Sequence, residues 1–256
     1  MQTILAIWQR EMKSYFVSPV AYVVLTVFLF ISGLTFIGRL ESAVQSTMML
    51  AQLGYEGMPV DIPAYVVQSL FGIMVLMLLF LIPMLTMGLF SEEKKRGTIE
   101  LLLTTPVGNF QALMGKYLAS LTLLLIILAS SGITILPLFY HSQPDLKPIL
   151  AGYLGLFLYG AALLALGIFI STLTENQIVA VIITFGASLL LWLLSIFSGS
   201  AVGAAREVLN YLSVIYHLEA FLKGVIDTSH VIYYLTFTFV GLFLAYRSLE
   251  SMRWKG

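Results

Sequence analysis

The run Glu92-Glu-Lys-Lys-Arg96, continued by Gly97-Thr-Ile-Glu-Leu-Leu-Leu-Thr-Thr-Pro-Val107, is the densest set of ionisable side chains in the sequence, and it stands between two long apolar stretches. Carboxylates beside ammonium and guanidinium groups form hydrogen-bonded ion pairs. With no histidine or activated nucleophile among them, their chemistry is docking and not bond making. Gly97 is expected to end a helix and Thr98 to cap a short one over 99–104. Pro106 would stop that helix, and Asn109 would cap the apolar run that follows. Such a helix projects Glu100 to water and carries Leu101, Leu102 and Leu103 around its sides, a knob shaped to seat in a cleft on another protein. The plainer alternative is a basic anchor that only fixes orientation, although an anchor does not need the Gly-Thr-x-Glu-Leu-Leu order.

Other residue types narrow the chemistry further. Cysteine is absent, which removes disulfides, thiolate nucleophiles and sulfur metal ligands together. The sequence contains no phosphate loop of the G-x-x-x-x-G-K-[ST] type, no H-E-x-x-H and no G-x-S-x-G. His141, His217 and His230 have no i, i+4 pairing and read as ordinary histidines beside loops, so no metal or cofactor is expected on this chain. Formal net charge is zero, so no basic field points to nucleic acid.

The elements that must position the charged run are membrane spans. The chain is 59% hydrophobic and only 10% charged, against roughly 25% charged in a soluble domain; its mean hydropathy is +0.97. Crossing a bilayer takes about 20 apolar residues, and six runs qualify: 20–38, 64–90, 112–140, 149–171, 177–198 and 230–246. Lys116 is counted with the charges of one face, so the spans are read as free of intramembrane charge, which disfavours a proton-coupled mechanism. One face carries nine of the 13 Lys and Arg and the other four, Arg39, Lys147, Arg206 and Lys223. Both termini are therefore expected on the cytoplasmic side.

Residues 1–18 are expected to form an amphipathic interfacial helix with Ile4, Leu5, Trp8, Met12, Tyr15 and Phe16 on one side, either hugging the membrane or touching a partner. No removable signal peptide is expected. An outward loop is expected over 39–63, with a short helix around 43–53, and a shorter one over 140–148, where Pro144 and Pro148 stop the flanking helices. Residues 172–176 read as a tight inward turn. Residues 199–229 are too charged to span and too apolar to float, and read as one or two helices lying at, or re-entering, the outer leaflet. Ala180, Thr184 and Ser188 have small-xxx-small spacing, which suits packing within the chain or a dimer face. No connection is long enough for a soluble module, so 1–256 is read as one membrane domain.

The run from Glu93 to Val107 resembles the cytoplasmic loop of ABC-2 type transporter permeases, and the resemblance extends over the interfacial helix, the six spans and the basic, aromatic tail. Residues 215–227 look most like the gliding-motility and nitrous-oxide reductase maturation permeases. The resemblance implies an all-α polytopic membrane fold of six spans plus the N-terminal helix. It implies a permease dimer, homo- or heteromeric, in a bacterial inner membrane, driven by a separate cytoplasmic ATPase that holds ATP and Mg, with an extracytoplasmic auxiliary protein as a further partner. Carried onto this sequence, the coupling loop is 91–111, and Glu92, Glu93, Gly97, Thr98, Glu100, Leu101 and Pro106 contact the ATPase. Glu175 and Asn176 lie at a second inward contact, and Leu209, Leu212, Phe221 and Ile226 shape an extracytoplasmic gate. The alternatives are a membrane scaffold that transports nothing and an ion-driven secondary transporter.

Overall fold

A computed structural model describes residues 2–53, 61–97, 108–142 and 144–253. Thr98, Glu100, Leu101 and Pro106, with the short helix expected at 99–104, lie outside them. The described residues hold no strand. The helices, in chain order, are α1 (Gln2–Val17), α2 (Pro19–Gln52), α3 (Ile62–Thr86), α4 (Gly88–Lys95), α5 (Asn109–His141), α6 (Leu146–Leu173), α7 (Gln177–Ser200), α8 (Ala204–Leu212), α9 (Val214–Leu222) and α10 (Thr228–Arg253). Six segments among the described residues are long and apolar enough to cross a membrane: α2, α3 with α4, α5, α6, α7 and α10. The chain is an all-α, multi-pass membrane protein.

The expected boundaries fail where polarity changes without a helix breaker. The outward loop expected over 39–63 is helix as far as Gln52, because no glycine or proline stands between Gly38 and Gly54. Its hydroxyls bond back to the helix, Ser42 Oγ to Gly38 O at 2.7 Å and Thr47 Oγ1 to Ala43 O at 2.9 Å. Pro148 does not stop a helix. It sits in the first turn of α6, where its missing N–H costs nothing, behind an Asp145 cap that accepts from Lys147 N at 3.0 Å. Asn109 is the first residue of α5 and not its cap; Gly108 is the cap, its N–H reaching Gln111 Oε1 at 3.4 Å. The last span continues as helix to Arg253, through most of the expected tail.

Helices in lipid gain nothing from hydrophobicity when they meet, so close backbone approach decides how they pack. α6 is the helix that permits it. A Cβ built on Gly152 would sit 2.1 Å from Phe71 of α3, one on Gly155 2.4 Å from Phe221 of α9, one on Gly160 2.6 Å from Leu124 of α5, and one on Gly167 2.2 Å from Thr86 of α3. On another side Ala165 lies 3.0 Å from the Cβ position of Gly241 in α10. α6 thereby sits at the centre of the bundle with α3, α5, α7, α9 and α10 around it. Ala180, Thr184 and Ser188 are buried inside the chain, where α7 packs on α3 and α6, so this stripe serves packing within the chain.

Gly152→Val should lower stability by roughly 1–3 kcal/mol through overpacking against Phe71, whereas Gly186→Val, at an open position, should change little. Denaturant titration in detergent measures both, and Phe71→Ala in the Gly152→Val background should recover part of the loss.

Candidate functional site

The end of the bundle that carries the charged run is a joint of four helices. α3 contains Pro83, and the helix is interrupted at Met87, which keeps helical backbone angles, before resuming as α4. A helix start leaves its first N–H groups without intrahelical partners. Here the Ser171 hydroxyl of α6 accepts from Phe90 N at 3.1 Å and Ser91 N at 3.2 Å, while donating to Met87 O at 3.1 Å. The far end of α4 returns the contact, as Lys94 Nζ donates to Thr172 O, one of the last carbonyls of α6. Ser248 of α10 reaches the same carbonyl at 3.5 Å. α4 is thus fastened at both ends to the end of the central helix.

A buried ion cluster adds α1 and α5 to the joint. Lys116, expected at the surface of its membrane face, is buried one to two turns inside α5 and ion-paired with Glu11 Oε1 at 3.0 Å and Glu93 Oε1 at 2.9 Å. Its ammonium also lies 5.2 Å from the centre of the Phe90 ring. A span therefore does carry a charge, and the expectation of charge-free spans fails: burying Lys116 is tolerable only because two carboxylates from other helices meet it. Around this cluster Trp8 Nε1 donates to Thr122 Oγ1 at 3.0 Å, and the Tyr15 hydroxyl lies 3.1 Å from Ser120 Oγ. Burial pushes the Tyr15 phenol up to about 12, against the lowering effect of its Ser120 bond. Gly115 lets Ile7 approach, since a Cβ there would be 2.7 Å away. α1 therefore turns Ile4, Ile7, Trp8, Glu11, Met12 and Tyr15 toward the protein and leaves Leu5 exposed.

Of the residues singled out in the sequence, Glu93 enters the ion cluster, while Glu92 lies on the exposed side of α4 in an ion pair with Arg96. Gly97 takes the left-handed conformation, φ +69°, just past the cap of α4, as a helix stop requires. Glu175 is the charge facing Lys94, and Asn176 caps α7 by accepting from Ile178 N at 2.9 Å. The turn at 172–176 and the charged run are thus parts of one joint. Glu11, Lys116 and Ser171 were not singled out. The available signal was a carboxylate set between Trp8, Met12 and Tyr15 on the apolar side of a helix.

At the opposite end, Leu209, Leu212, Phe221 and Ile226 do not form one surface: Phe221 is buried against Gly155, while Leu212 and Ile226 are exposed. What does converge there is a pair of histidines 13 residues apart. His217 Nε2 is 3.1 Å from Tyr211 O, a carbonyl that only accepts, so this nitrogen carries the proton. His217 Nδ1 then accepts from His230 Nδ1 at 2.8 Å. The His217 ring stacks on Tyr233 at 3.8 Å, and the Tyr233 and Tyr234 hydroxyls bond Leu212 O and Val214 O. These contacts tie α8 and α9 to α10. The described residues hold no cluster of three or more metal-ligating side chains.

A family profile described as ABC-2 family transporter protein matches residues 5–249. The chain belongs to the ABC-2 transporter family. No curated protein matches it. As an ABC-2 permease it is the membrane component of a transporter and not the catalytic one, and membership implies an ABC ATPase partner in general terms.

Two outcomes are expected of this ABC-2 permease. Lys116→Met should destabilise it by roughly 3–5 kcal/mol, because two carboxylates are left facing one another; adding Glu11→Gln and Glu93→Gln should recover much of that loss in the same unfolding measurement. Burial holds the His217 imidazole below the ordinary histidine range, with His230 acting in the same direction and the Tyr211 carbonyl opposing. The folded state then favours the neutral ring, so its contribution is complete above about pH 6.5 and is lost as pH falls below that value. Thermal unfolding of His217→Phe, which keeps an aromatic ring on Tyr233, should show a shallower loss of stability between about pH 6.5 and 5 than the parent chain.

Proposed function

We propose that this chain is the transmembrane subunit of an ATP-driven complex in which a separate cytoplasmic ATPase binds ATP and Mg. The permease converts closure of that ATPase into movement of a substrate, or of force, across a bacterial inner membrane. Both termini face the cytoplasm, in keeping with the nine-to-four distribution of Lys and Arg. The observation that carries the reading is the joint. α4 leads directly into the loop bearing Gly97, Thr98, Glu100, Leu101 and Pro106, and it is bonded at both ends to the central helix α6 and through Lys116 to α1 and α5. A push passed from that loop to α4 reaches the spans through these hydrogen bonds and ion pairs. Glu92, on the exposed side of α4, and Glu175 and Asn176, beside it, complete the docking surface.

Two such protomers form the working unit, the second either a copy of this chain or a homologous permease. Of Leu209, Leu212, Phe221 and Ile226, the exposed Leu212 and Ile226 would shape the extracytoplasmic gate, while Phe221, buried against Gly155, would hold α9 to α6 behind it. The likeness of residues 215–227 to the gliding-motility and nitrous-oxide reductase maturation permeases supports an extracytoplasmic companion in the complex.

Gentle extraction of the tagged chain from its native membrane should bring with it a nucleotide-binding subunit at equal stoichiometry; recovery without any ATPase, under conditions that keep other complexes whole, would point to a passive scaffold or a secondary transporter instead. In the recovered complex, Gly97→Pro with Glu100→Ala should leave the permease inserted while ATP hydrolysis no longer drives transport. Undiminished coupling in that variant would remove the role given to this loop.

A further inference from the structure

A groove of about 540 Å³ lies between α2 and α3, toward the membrane face opposite the termini. Its walls change character along its length. α2 runs away from the terminal face and α3 returns, so Arg39, Ser42 and Ser69 line the far end, while Ile73, Leu76 and Thr35, whose hydroxyl is bonded back to Ile31 O at 2.8 Å, line the end nearer the membrane centre. Gly38 and Gly72 keep it open, since a Cβ on either would meet nothing within 4 Å. On the same two helices Leu34, Ile37 and Phe80 are exposed, the apolar surface that a span presents to lipid.

Arg39 stands about 30 Å along α2 from Pro19, the thickness of the hydrocarbon layer, which puts its guanidinium at headgroup depth. Among the described residues no carboxylate lies within ion-pairing distance of it; Nη1 donates to the Tyr65 hydroxyl at 3.3 Å. A guanidinium in this position has donors to spare, arranged to take a phosphate. Ser42 Oγ has spent its proton on Gly38 O and so offers only lone pairs, which suit a hydroxyl donor beside that phosphate.

We propose that this groove binds one anionic phospholipid with a hydroxyl-bearing headgroup of the glycerol type, its phosphate on Arg39, its headgroup hydroxyl at Ser42, and an acyl chain running inward along Ile73 and Leu76. The order of polar and apolar walls matches the order of head and tail in a lipid of that leaflet. The site is separate from the α4 joint and does not depend on what drives the permease.

Native mass spectrometry of the full chain, released from nanodiscs of phosphatidylcholine doped with phosphatidylglycerol, tests this. The parent chain should retain one phosphatidylglycerol in preference to phosphatidylcholine. Arg39→Gln should lower that occupancy roughly tenfold, as the loss of a charge-assisted contact implies. Gly72→Leu, which fills the groove and leaves the arginine in place, should lower it as well, with size-exclusion profiles confirming that both variants remain folded. Equal retention of the two lipids by the parent chain, or unchanged retention in both variants, would overturn the proposal. Displacement of the lipid by soluble glycerol phosphate at similar concentration would also overturn it, by showing a site for free phosphate.

Discussion

The bundle depends on how closely other helices can approach α6. A bilayer supplies no hydrophobic force to bring helices together, so contact must come from backbone proximity and from polar bonds too costly to leave unmade. Glycines at 152, 155, 160 and 167 lower different sides of α6 enough for Phe71, Phe221, Leu124 and Thr86 to lie against its backbone. A side chain larger than hydrogen at any of them would push a neighbouring helix outward. The central position of α6 follows from this surface, and so does the reach of any motion it makes.

The same helix ends in Ser171 and Thr172, and there its role changes from packing to fastening. The break at Met87 exposes N–H groups at the start of α4, and the last turn of α6 exposes carbonyls; each helix end satisfies the other. Lys116 extends the arrangement to α1 and α5. A lysine with two carboxylates contributes little net stability once desolvation is counted, yet it specifies which helices meet and in what register. That property suits the coupling role proposed for the joint. The histidine pair at the other end fastens α8 and α9 to α10 in a different way, through one ring-to-ring hydrogen bond and the stacking of His217 on Tyr233.

The spans were legible in the sequence because twenty apolar residues in a row have few other uses. Helix ends were less so: polarity marks where a chain leaves lipid, not where a helix stops, and residues 43–52 stay helical because no glycine or proline interrupts them, with the Ser42, Ser46 and Thr47 hydroxyls satisfied on carbonyls of their own turn. Gly97 was legible, since a left-handed stop after a charged helix calls for glycine. Lys116 was placed at the surface by a rule about loops, whereas partners far away in sequence, Glu11 and Glu93, let it be buried. The glycines of α6 were overlooked because they follow no single period; each serves a different neighbour. His217 and His230 are brought together by the turn at Gly224, φ +84°, whose close packing on Pro148 no local pattern reports.

The most direct test of a rigid joint uses the absence of cysteine from the chain. Spin labels placed through Ser14→Cys on α1 and Lys95→Cys on α4, both exposed positions, report the separation of the two helices that Lys116 links. In the complex with its ATPase, the distance distribution should be narrow and the same with and without nucleotide, because α1 and α4 move together. A distribution that shifts or broadens when nucleotide binds would contradict this, and would mean that α4 moves without the helices to which it is bonded.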